Sequence, residues 1–212
     1  MMNYELNEVD AVILGDGDYP IHTMAVSLLK SAKYLCCCDG AGKHYIDIGG
    51  MPDAIVGDGD SLPPSFKEQY RDIIHIISEQ EDNDLTKSTK HCIAHGAKTI
   101  AYLGATGKRE DHTIGNVSLV VRYMNEFGIR PIMVTDSGYF VPANGRHTFA
   151  TFIHQHVSIF NFGCTRLQGE GLRWPTSAFP SWWQGTLNEA TGDSITLDGD
   201  SDYLVYRTFD TK

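Results

Sequence analysis

The chain has 212 residues and a formal net charge of −10 at pH 7; 42% of its residues are hydrophobic and 21% are charged. That length is enough for a substantial core in one large or two small domains. The negative charge argues against binding to nucleic acid or to an anionic membrane surface, although it is compatible with a polyphosphate accompanied by divalent cations. No apolar run approaches the roughly 20 residues that span a bilayer, so we expect no membrane association.

The first two-thirds of the chain alternates short apolar runs with helical patterns. Six runs are nearly continuous, as expected of strands covered on both faces: Ala11–Leu14, Tyr34–Cys38, Ala54–Val56, Ile73–Ile77, Thr99–Leu103 and Ile132–Thr135. Helical patterns lie between them, at Thr23–Ala32, Leu85–His95 and Thr113–Phe127. This alternation predicts an α/β fold with an open, doubly wound and mostly parallel sheet, covered by helices on both faces.

The pattern changes after about Ser137, where helical periodicity ends. Glycines now separate four β-type runs, which are Phe149–Phe152, Val157–Phe162, Ser194–Leu197 and Leu204–Phe209. This texture predicts a small antiparallel β domain. We place the boundary at a tight turn around Asp136–Gly138.

Five cysteines are present, three of them consecutive at Cys36–Cys38 within an apolar run. No CxxC pair occurs, so a buried strand explains the run better than a disulfide framework or a zinc site. We therefore expect a cytoplasmic protein.

Aspartates follow several predicted strands. Asp58 and Asp60 follow the third strand, and Asp84 precedes the helix after the fourth. The carboxyl ends of parallel strands meet at one edge of a sheet, where ligands bind, and like charges pack there only if a cation separates them. Mg²⁺ prefers carboxylate and water oxygens together with substrate phosphates. The spacing therefore predicts a magnesium–nucleotide site. Asp39 follows the second strand as a further candidate ligand, and Lys87 lies one helical turn after Asp84.

Other interpretations of these polar residues are weaker. Any one aspartate alone could be a turn or capping residue, but the repetition at successive strand ends favours a metal. His91 and His95 have a zinc-like spacing on a helix, yet no third ligand or HExxH-type glutamate accompanies them. Asp198–Asp202 lacks the glycine and glutamate of a calcium loop and is assigned to a hairpin turn.

A glycine-rich turn, Gly104–Gly107, follows the fifth strand and leads through Arg109 into a helix. Backbone N–H groups at a helix N-terminus and a guanidinium group suit phosphate oxygens. Gly107-Lys108 does not belong to a Walker loop, because Tyr102 stands in place of the first glycine and Arg109 in place of Ser or Thr. A plain tight turn is the alternative for this segment taken alone.

Taken together, these segments resemble the thiamine pyrophosphokinase family over nearly the whole chain and in the same order. The resemblance is carried by Asp39-Gly40, Pro52-Asp53 with Gly57–Ser61, Asn83–Lys87, Gly104–His112, Gly171–Pro175 and Gly185–Glu189. Three positions depart from the family's pattern: Ala41 replaces a glycine, Lys43 an asparagine and Leu187 a common serine. One block alone is weak, but six in sequence are specific.

The resemblance implies a homodimer in which an α/β domain is joined to a β-sandwich and thiamine lies at the subunit interface. It implies transfer of the terminal diphosphate of ATP to the thiamine hydroxyl, with release of AMP and with Mg²⁺ as cofactor. On this basis residues 1–137 form the catalytic, ATP- and Mg-binding domain, and residues 138–212 form the thiamine-binding and dimerisation domain.

The residues expected to act fall into four sets. The catalytic set is Asp58, Asp60, Asp84, Lys87, Arg109 and Asp111, in which the two cations stabilise charge on the phosphates. The metal set is Asp39, Asp58, Asp60 and Asp84. The ATP set is Gly15, Asp39, Gly40, Gly104, Thr106, Gly107 and Arg109. The thiamine set is Trp174, Asn188 and, from the resemblance alone, Gln80. The indole of Trp174 can stack on a cationic ring. Asp111 either orients Arg109 or accepts the proton of the hydroxyl.

Two other functions are compatible with parts of this pattern. One is diphosphate transfer to another alcohol, such as a pterin, on the same α/β scaffold. The other is a catalytically silent module that senses a nucleotide or thiamine. The presence of Asp84, Lys87 and Arg109 together argues for an enzyme.

Overall fold

A computed structural model describes Leu6 and residues 8–211. The chain divides into two compact units. The first takes the chain up to Leu119 together with Gly128–Asp136, and the second takes Val120–Phe127 together with the chain from Ser137 onward. The functional division at residue 137 stays a prediction. In the described part of the chain, no helix is long and apolar enough to cross a membrane.

The first unit contains a parallel sheet. Its strands are β1 (Ala11–Leu14), β2 (Leu35–Cys38), β3 (Ala54–Gly57), β4 (Ile74–Ile76), β5 (Thr99–Leu103) and β6 (Arg130–Val134). They lie in the order β6-β5-β1-β2-β3-β4, and every neighbouring pair is parallel. Every residue of β1, β2, β3 and β5 is buried, which accounts for their continuous apolar sequences. The predicted parallel sheet is therefore confirmed. Its strand order reverses between β1 and β5, the position where α/β sheets bind ligands.

Five α-helices are described: α1 (Thr23–Lys30), α2 (Asp39–Asp47), α3 (Pro64–Gln69), α4 (Asp84–Ala94) and α5 (Glu110–Phe127). The three predicted helices correspond to α1, α4 and α5. Helices α2 and α3 were not predicted, and Asp39-Gly40 begins α2 instead of forming a strand-end turn. Glycines disfavour a helix locally, but a Cβ at Gly42 would lie 2.6 Å from Ile55 of β3, so the small residue lets α2 approach the sheet.

The second unit is an antiparallel β structure, as predicted. Its strands are β7 (Gly138–Ala150), β8 (His156–Asn161), β9 (Leu167–Glu170), β10 (Asn188–Glu189) and β11 (Ser194–Thr208), with a 3₁₀ helix at Trp182–Gly185. Strand β11 pairs with β7, β8 and β9, and β10 pairs with β8. The predicted run Phe149–Phe152 only partly fits, because β7 begins at Gly138 and ends at Ala150.

The predicted hairpin turn at Asp198–Asp202 is wrong. Strand β11 continues through this segment, and its pairing with β7 shifts register between Asp198 and Asp202. Instead of a turn, these residues form a β-bulge. In it, the Asp200 carboxylate accepts hydrogen bonds from the backbone N–H groups of Thr165 at 2.9 Å and Arg166 at 3.0 Å. Both halves of the bent strand supply one apolar cluster, through Ile195, Leu197, Tyr203 and Val205.

Candidate active site

The loops after β1 and β5 form the floor of a cavity in the first unit. Backbone hydrogen bonds join them, from Gly15 to Leu103 at 2.8 Å, from Gly17 to Gly104 at 2.6 Å and from Asp18 to Thr106 at 2.9 Å. The cavity has a volume of about 370 Å³. The β1–α1 loop, the start of α4, the glycine-rich turn and the start of α5 line it. The predicted site residues Gly15, Asp84, Gly104, Gly107 and Arg109 are among those that line it.

The start of α4 places Asp84 and Lys87 together. The side chain of Asn83 caps the helix by accepting the backbone N–H of Thr86 at 3.0 Å and its hydroxyl at 2.8 Å. Asp84 therefore lies in the first turn, and Lys87 follows one turn later, with Nζ 3.6 Å from Asp84 Oδ1. Lys87 is only 2% exposed, so its ammonium group depends on nearby carboxylates for compensation.

Three of the predicted carboxylates influence one another at this edge. Burial raises the pKa of Asp84; the Lys87 charge opposes this shift, whereas the charges of Asp58 and Asp39 reinforce it. Asp39 is 4% exposed, and its Oδ2 accepts the backbone N–H of Ser61 at 3.1 Å. Its buried Oδ1 has no hydrogen-bond partner. An unpartnered carboxylate oxygen among like charges is the environment that a bound cation stabilises.

Asp58 and Asp60 follow β3 as predicted, but they differ in their contacts. The Asp58 carboxylate accepts the backbone N–H of Asp60 at 3.0 Å. That hydrogen bond, the Gln80 amide and the charge of Lys87 lower the pKa of Asp58. The Asp60 side chain is exposed. Within residues 8–211, no three His, Cys, Asp or Glu side chains are already arranged to hold a metal, so the four-aspartate metal set stays a prediction.

The turn after β5 carries two cationic side chains, and each of them forms an ion pair with a carboxylate. Arg109 donates from Nε and Nη2 to the two oxygens of Asp111, at 3.1 and 2.6 Å, and this contact lowers the pKa of Asp111. Lys108 Nζ lies 3.0 Å from Asp16 Oδ1. Because both Asp111 oxygens accept hydrogen bonds from Arg109 and the lowered pKa makes the carboxylate a weaker base, the geometry favours a role in orienting Arg109 over a role as a base. Thr106 supports the loop through its carbonyl group, which accepts the Asp18 N–H.

The cavity residues to which the sequence assigned no role include Asn83, Lys108 and Asn116. Asn116 donates to the Ala105 carbonyl at 2.8 Å, and Asn83 donates to the Asn116 amide oxygen at 3.2 Å. These amides tie α4, the glycine-rich turn and α5 together. Asn83 and Lys108 lie within the motifs that carry the family resemblance, and this position could have indicated a role for them. Asn116 is on α5, outside those motifs.

In the second unit, the side-chain amide of Asn188 forms two hydrogen bonds with the backbone of Trp174. Its amide oxygen accepts the Trp174 N–H at 3.1 Å, and its Nδ2 donates to the Trp174 carbonyl at 2.9 Å. Asn188 is buried, whereas the Trp174 side chain is 50% exposed, with the Arg173 guanidinium 4.9 Å from its ring centroid. Asn188 thus holds an aromatic surface in place. Leu187, in place of the family's serine, is exposed and has a positive φ of 62°.

Gln80, the third predicted thiamine residue, belongs to the first unit. It is exposed, and its Nε2 lies 3.3 Å from the Ser78 carbonyl oxygen. Its influence on Asp58 places it beside the acidic edge of the sheet.

Comparison with known proteins identifies both regions of the chain. The family model described as "Thiamin pyrophosphokinase, catalytic domain" matches residues 25–132. The one described as "Thiamin pyrophosphokinase, substrate-binding domain" matches residues 138–206. Among similar proteins, thiamine pyrophosphokinase 3 of Oryza sativa subsp. japonica is 31% identical over 83% of this chain and 79% of its own length. Thiamine pyrophosphokinase 1 of the same plant is 28% identical over 84% of this chain and 79% of its own length.

Solved structures share the fold. Thiamin pyrophosphokinase from Candida albicans has a TM-score of 0.78 at 19% identity, covering 98% of this chain and 91% of its own. Thiamine pyrophosphokinase from Bacillus subtilis has a TM-score of 0.76 at 16% identity, covering 94% of this chain and 99% of its own. Since the sequence matches cover both regions of the chain, this protein belongs to the thiamin pyrophosphokinase family.

Proposed function

We propose that this chain transfers the terminal diphosphate of ATP to the hydroxyl of thiamine, giving thiamine diphosphate and AMP. The observation that carries the proposal is the Asp84–Lys87 pair beside a cavity that is also lined by a glycine-rich turn and Arg109. In the reaction, a bond forms between the thiamine oxygen and the β-phosphorus. The bond from that phosphorus to the oxygen of AMP breaks, and the hydroxyl proton is released.

Mg²⁺ fits the acidic edge of the first unit. Asp58, Asp60 and Asp84 would hold it, with Asp39 as a further ligand or nucleotide contact. The unpartnered Asp39 Oδ1 supports this assignment. The pKa of Asp84 supports it too, because burial first and the charges of Asp58 and Asp39 second raise it, and a bound cation would oppose both effects. When bound, the cation supplies charge neutralisation between these carboxylates and the phosphates.

The chain's own cations would act on the transferred group. Lys87 is buried and held near Asp84, so its ammonium group is fixed before substrate arrives. Arg109 lines the cavity, and Asp111 holds its guanidinium group in a bidentate contact. Fixed cations of this kind stabilise charge that develops on phosphate oxygens at little reorganisation cost.

Trp174 is proposed as the stacking surface for the cationic thiazolium of thiamine. The exposure of its side chain supports this role. So do the two hydrogen bonds by which the Asn188 amide holds the Trp174 backbone. We also propose that Gln80 contacts thiamine and that two chains form a homodimer with thiamine at the subunit interface. In this arrangement residues 1–137 are catalytic and residues 138–212 bind thiamine and the partner chain, in keeping with the two matched domain descriptions.

We propose a cytoplasmic location, where ATP is available and thiols stay reduced. The five cysteines are free and buried, in agreement with a reducing compartment.

The decisive test is an assay for AMP and thiamine diphosphate with ATP, thiamine and Mg²⁺. AMP release that requires both substrates supports the proposal. Release with another alcohol, such as a pterin, but not with thiamine would reassign the acceptor. Ligand binding without turnover would contradict an enzymatic function.

A further inference from the structure

One carboxylate of the second unit, Glu189, has no role in the assignments above. It ends the segment Gly185–Glu189, which carries part of the family resemblance, and it lies on β10 directly after Asn188. Its carbonyl group accepts the backbone N–H of Arg173 at 2.8 Å. The segment that contains Arg173 and Trp174 therefore runs alongside β10, within hydrogen-bonding distance of it.

The Glu189 side chain contacts two basic side chains. Its Oε2 lies 3.3 Å from Arg173 Nη1, and its Oε1 lies 3.4 Å from the same nitrogen and 2.7 Å from His154 Nδ1. The hydrogen bond from His154 and the charge of Arg173 lower the pKa of Glu189, so this carboxylate stays ionised. The Glu189 side chain is 16% exposed, whereas that of Arg173 is 57% exposed. A carboxylate with little access to water thus anchors a more exposed guanidinium group.

Arg173 in turn covers one face of the Trp174 ring. Its guanidinium carbon lies 4.9 Å from the ring centroid, in a cation–π contact. A planar ligand that stacks on Trp174 must therefore use the opposite face. The Asn188 amide fixes the backbone of Trp174, while Arg173 determines which face of the indole remains open.

The charge of Arg173 would disfavour a cationic ligand at this surface. A cation stacked at about 4 Å on the open face of Trp174 would lie roughly 9 Å from the guanidinium group. An uncompensated like charge at that distance repels the ligand and opposes its attraction to the indole. Glu189 supplies the opposite charge and removes this repulsion.

We propose that Glu189 is a positioning residue that holds Arg173 on one face of Trp174 and neutralises it, so that the other face can bind the cationic ring of thiamine. Glu189 then acts through Arg173 and Trp174, and it determines selectivity for the charge of the acceptor. A purely structural role explains less, because ion pairs with an exposed partner contribute little to stability. This inference rests on the proposed function and deepens it.

Calorimetry with two ligands separates charge from shape. One ligand is thiamine, and the other is the analogue in which a neutral thiophene replaces the thiazolium ring. We expect Glu189→Gln, which keeps the shape of the side chain and removes its charge, to weaken thiamine binding about tenfold. Affinity for the neutral analogue should stay the same. In turnover at saturating Mg-ATP, the KM for thiamine should rise while kcat is retained.

A second substitution tests whether the unpaired cation causes the loss. Adding Arg173→Gln to Glu189→Gln should restore thiamine affinity to within about threefold of the wild-type value. Arg173→Gln alone leaves the Glu189 charge in place, so it should raise the affinity for thiamine relative to the neutral analogue. Because the Arg173 side chain is largely exposed, this variant remains informative if Glu189→Gln misfolds.

The matched control is Glu126→Gln. Glu126 pairs with Arg122 at 2.8 Å, and the Arg122 guanidinium lies 5.9 Å from the Phe127 ring centroid, so the same kind of arrangement is altered on α5 of the same unit. Both ligands should bind to this variant with wild-type affinity. Circular dichroism establishes that each variant is folded.

Three results would overturn the proposal: equal loss of both ligands in Glu189→Gln, wild-type thiamine affinity in that folded variant, or no recovery when Arg173→Gln is added. A chain that shows the expected binding pattern without making thiamine diphosphate would refute the proposed function alone. One that makes thiamine diphosphate without this pattern would refute the inference about Glu189 alone. A chain that does not bind thiamine would refute both.

Discussion

At the scale of single residues, Asp84 has the most sharply defined environment. It is half-buried beside Lys87. Burial raises its pKa, and the charges of Asp58 and Asp39 raise that pKa further. We expect Asp84→Asn to lower kcat roughly 100-fold or more, because it removes a proposed metal ligand at nearly constant volume. The melting temperature should change little, because the loss of the Asp84–Lys87 ion pair is offset by the loss of repulsion between Asp84 and the neighbouring carboxylates. AMP release and melting temperature are the measurements.

The matched control is Asp72→Asn, because the Asp72 side chain is 94% exposed and makes only a long ion pair of 3.8 Å with Arg71. It should retain full activity. Near-normal turnover of Asp84→Asn at saturating Mg²⁺ would show that the acidic site has been assigned to the wrong residues.

Asn188 offers a second test at this scale, because both ends of its amide bind the backbone of Trp174. We expect Asn188→Ala to raise the KM for thiamine about tenfold through misplacement of the indole. The free energy of unfolding should fall by about 1–3 kcal/mol, since the backbone N–H and carbonyl groups of Trp174 lose their partners. A shift in tryptophan fluorescence should accompany the kinetic change. Asn188→Asp keeps the acceptor for the Trp174 N–H and should be intermediate; a variant with unchanged fluorescence and unchanged KM would refute the positioning role.

At the scale of elements, the glycine-rich turn depends on backbone conformation. Gly107 has a φ of 81°, and a Cβ there would overlap the Asp18 carboxylate. We expect Gly107→Ala to cost about 1–2 kcal/mol of stability from the left-handed conformation and to weaken ATP binding. Gly115→Ala is the control, because it lies on α5 with nothing within 4 Å of the added Cβ. It should stabilise the protein by up to about 1 kcal/mol. Equal effects of the two substitutions on ATP binding would contradict a special role for the turn.

Helix α4 carries a histidine cluster whose titration should affect stability. His91 Nε2 lies 2.8 Å from the Tyr34 hydroxyl, and its ring contacts His75 and His95. Burial, aided by the charges of these two histidines, lowers the pKa of His91 to about 4 from an ordinary 6.5. The unfolded chain therefore binds a proton that the folded chain does not between these two values.

This difference has a definite sign. The stabilisation is fully present above about pH 6.5 and is lost as the pH falls toward 4. We expect the melting temperature of the wild-type chain to fall more between pH 7 and pH 5 than that of His91→Gln. His147→Gln, which alters an exposed histidine, should follow the wild-type curve. Parallel curves for all three proteins would show that His91 does not titrate in this way.

The elements also show what the sequence could predict. Continuous apolar runs identified β1, β2, β3 and β5, because strands buried on both faces leave no other pattern. Helix α2 escaped prediction, since its glycines lower local propensity and the reason for them is close packing against Ile55. The β11 bulge escaped for a related reason: Asp and Gly at 198–202 are typical of turns, and only long-range pairing shows that the strand continues. Local patterns cannot report contacts that the fold itself creates.

The same limit applies to the candidate site. The motifs predicted that Asp84 and Lys87 would lie together, and they do. They did not predict that Asn188 would bind the backbone of Trp174, because that contact joins β10 to a distant loop. They also did not predict Asn116, whose role depends on where α5 meets the glycine-rich turn.

At the scale of the whole molecule, the net charge of −10 disfavours the binding of a polyanion such as ATP. Binding of ATP should therefore require a divalent cation, and this requirement can be tested. Cations at the candidate site already face carboxylates: Lys87 faces Asp84, Lys108 faces Asp16, and Arg109 faces Asp111. These pairs leave little net positive charge for a triphosphate, while Asp39 and Asp58 add negative charge nearby.

We therefore expect ATP binding to weaken roughly 100-fold when divalent cations are chelated and to recover on addition of Mg²⁺. Calorimetry at constant ionic strength, with Na⁺ as the compensating cation, separates specific binding of Mg²⁺ from general screening. In Asp84→Asn the dependence on Mg²⁺ should be shallower, because one carboxylate no longer repels the phosphates. Tight ATP binding in the presence of chelator would show that the paired lysines and arginine suffice, and would remove the metal from the binding step.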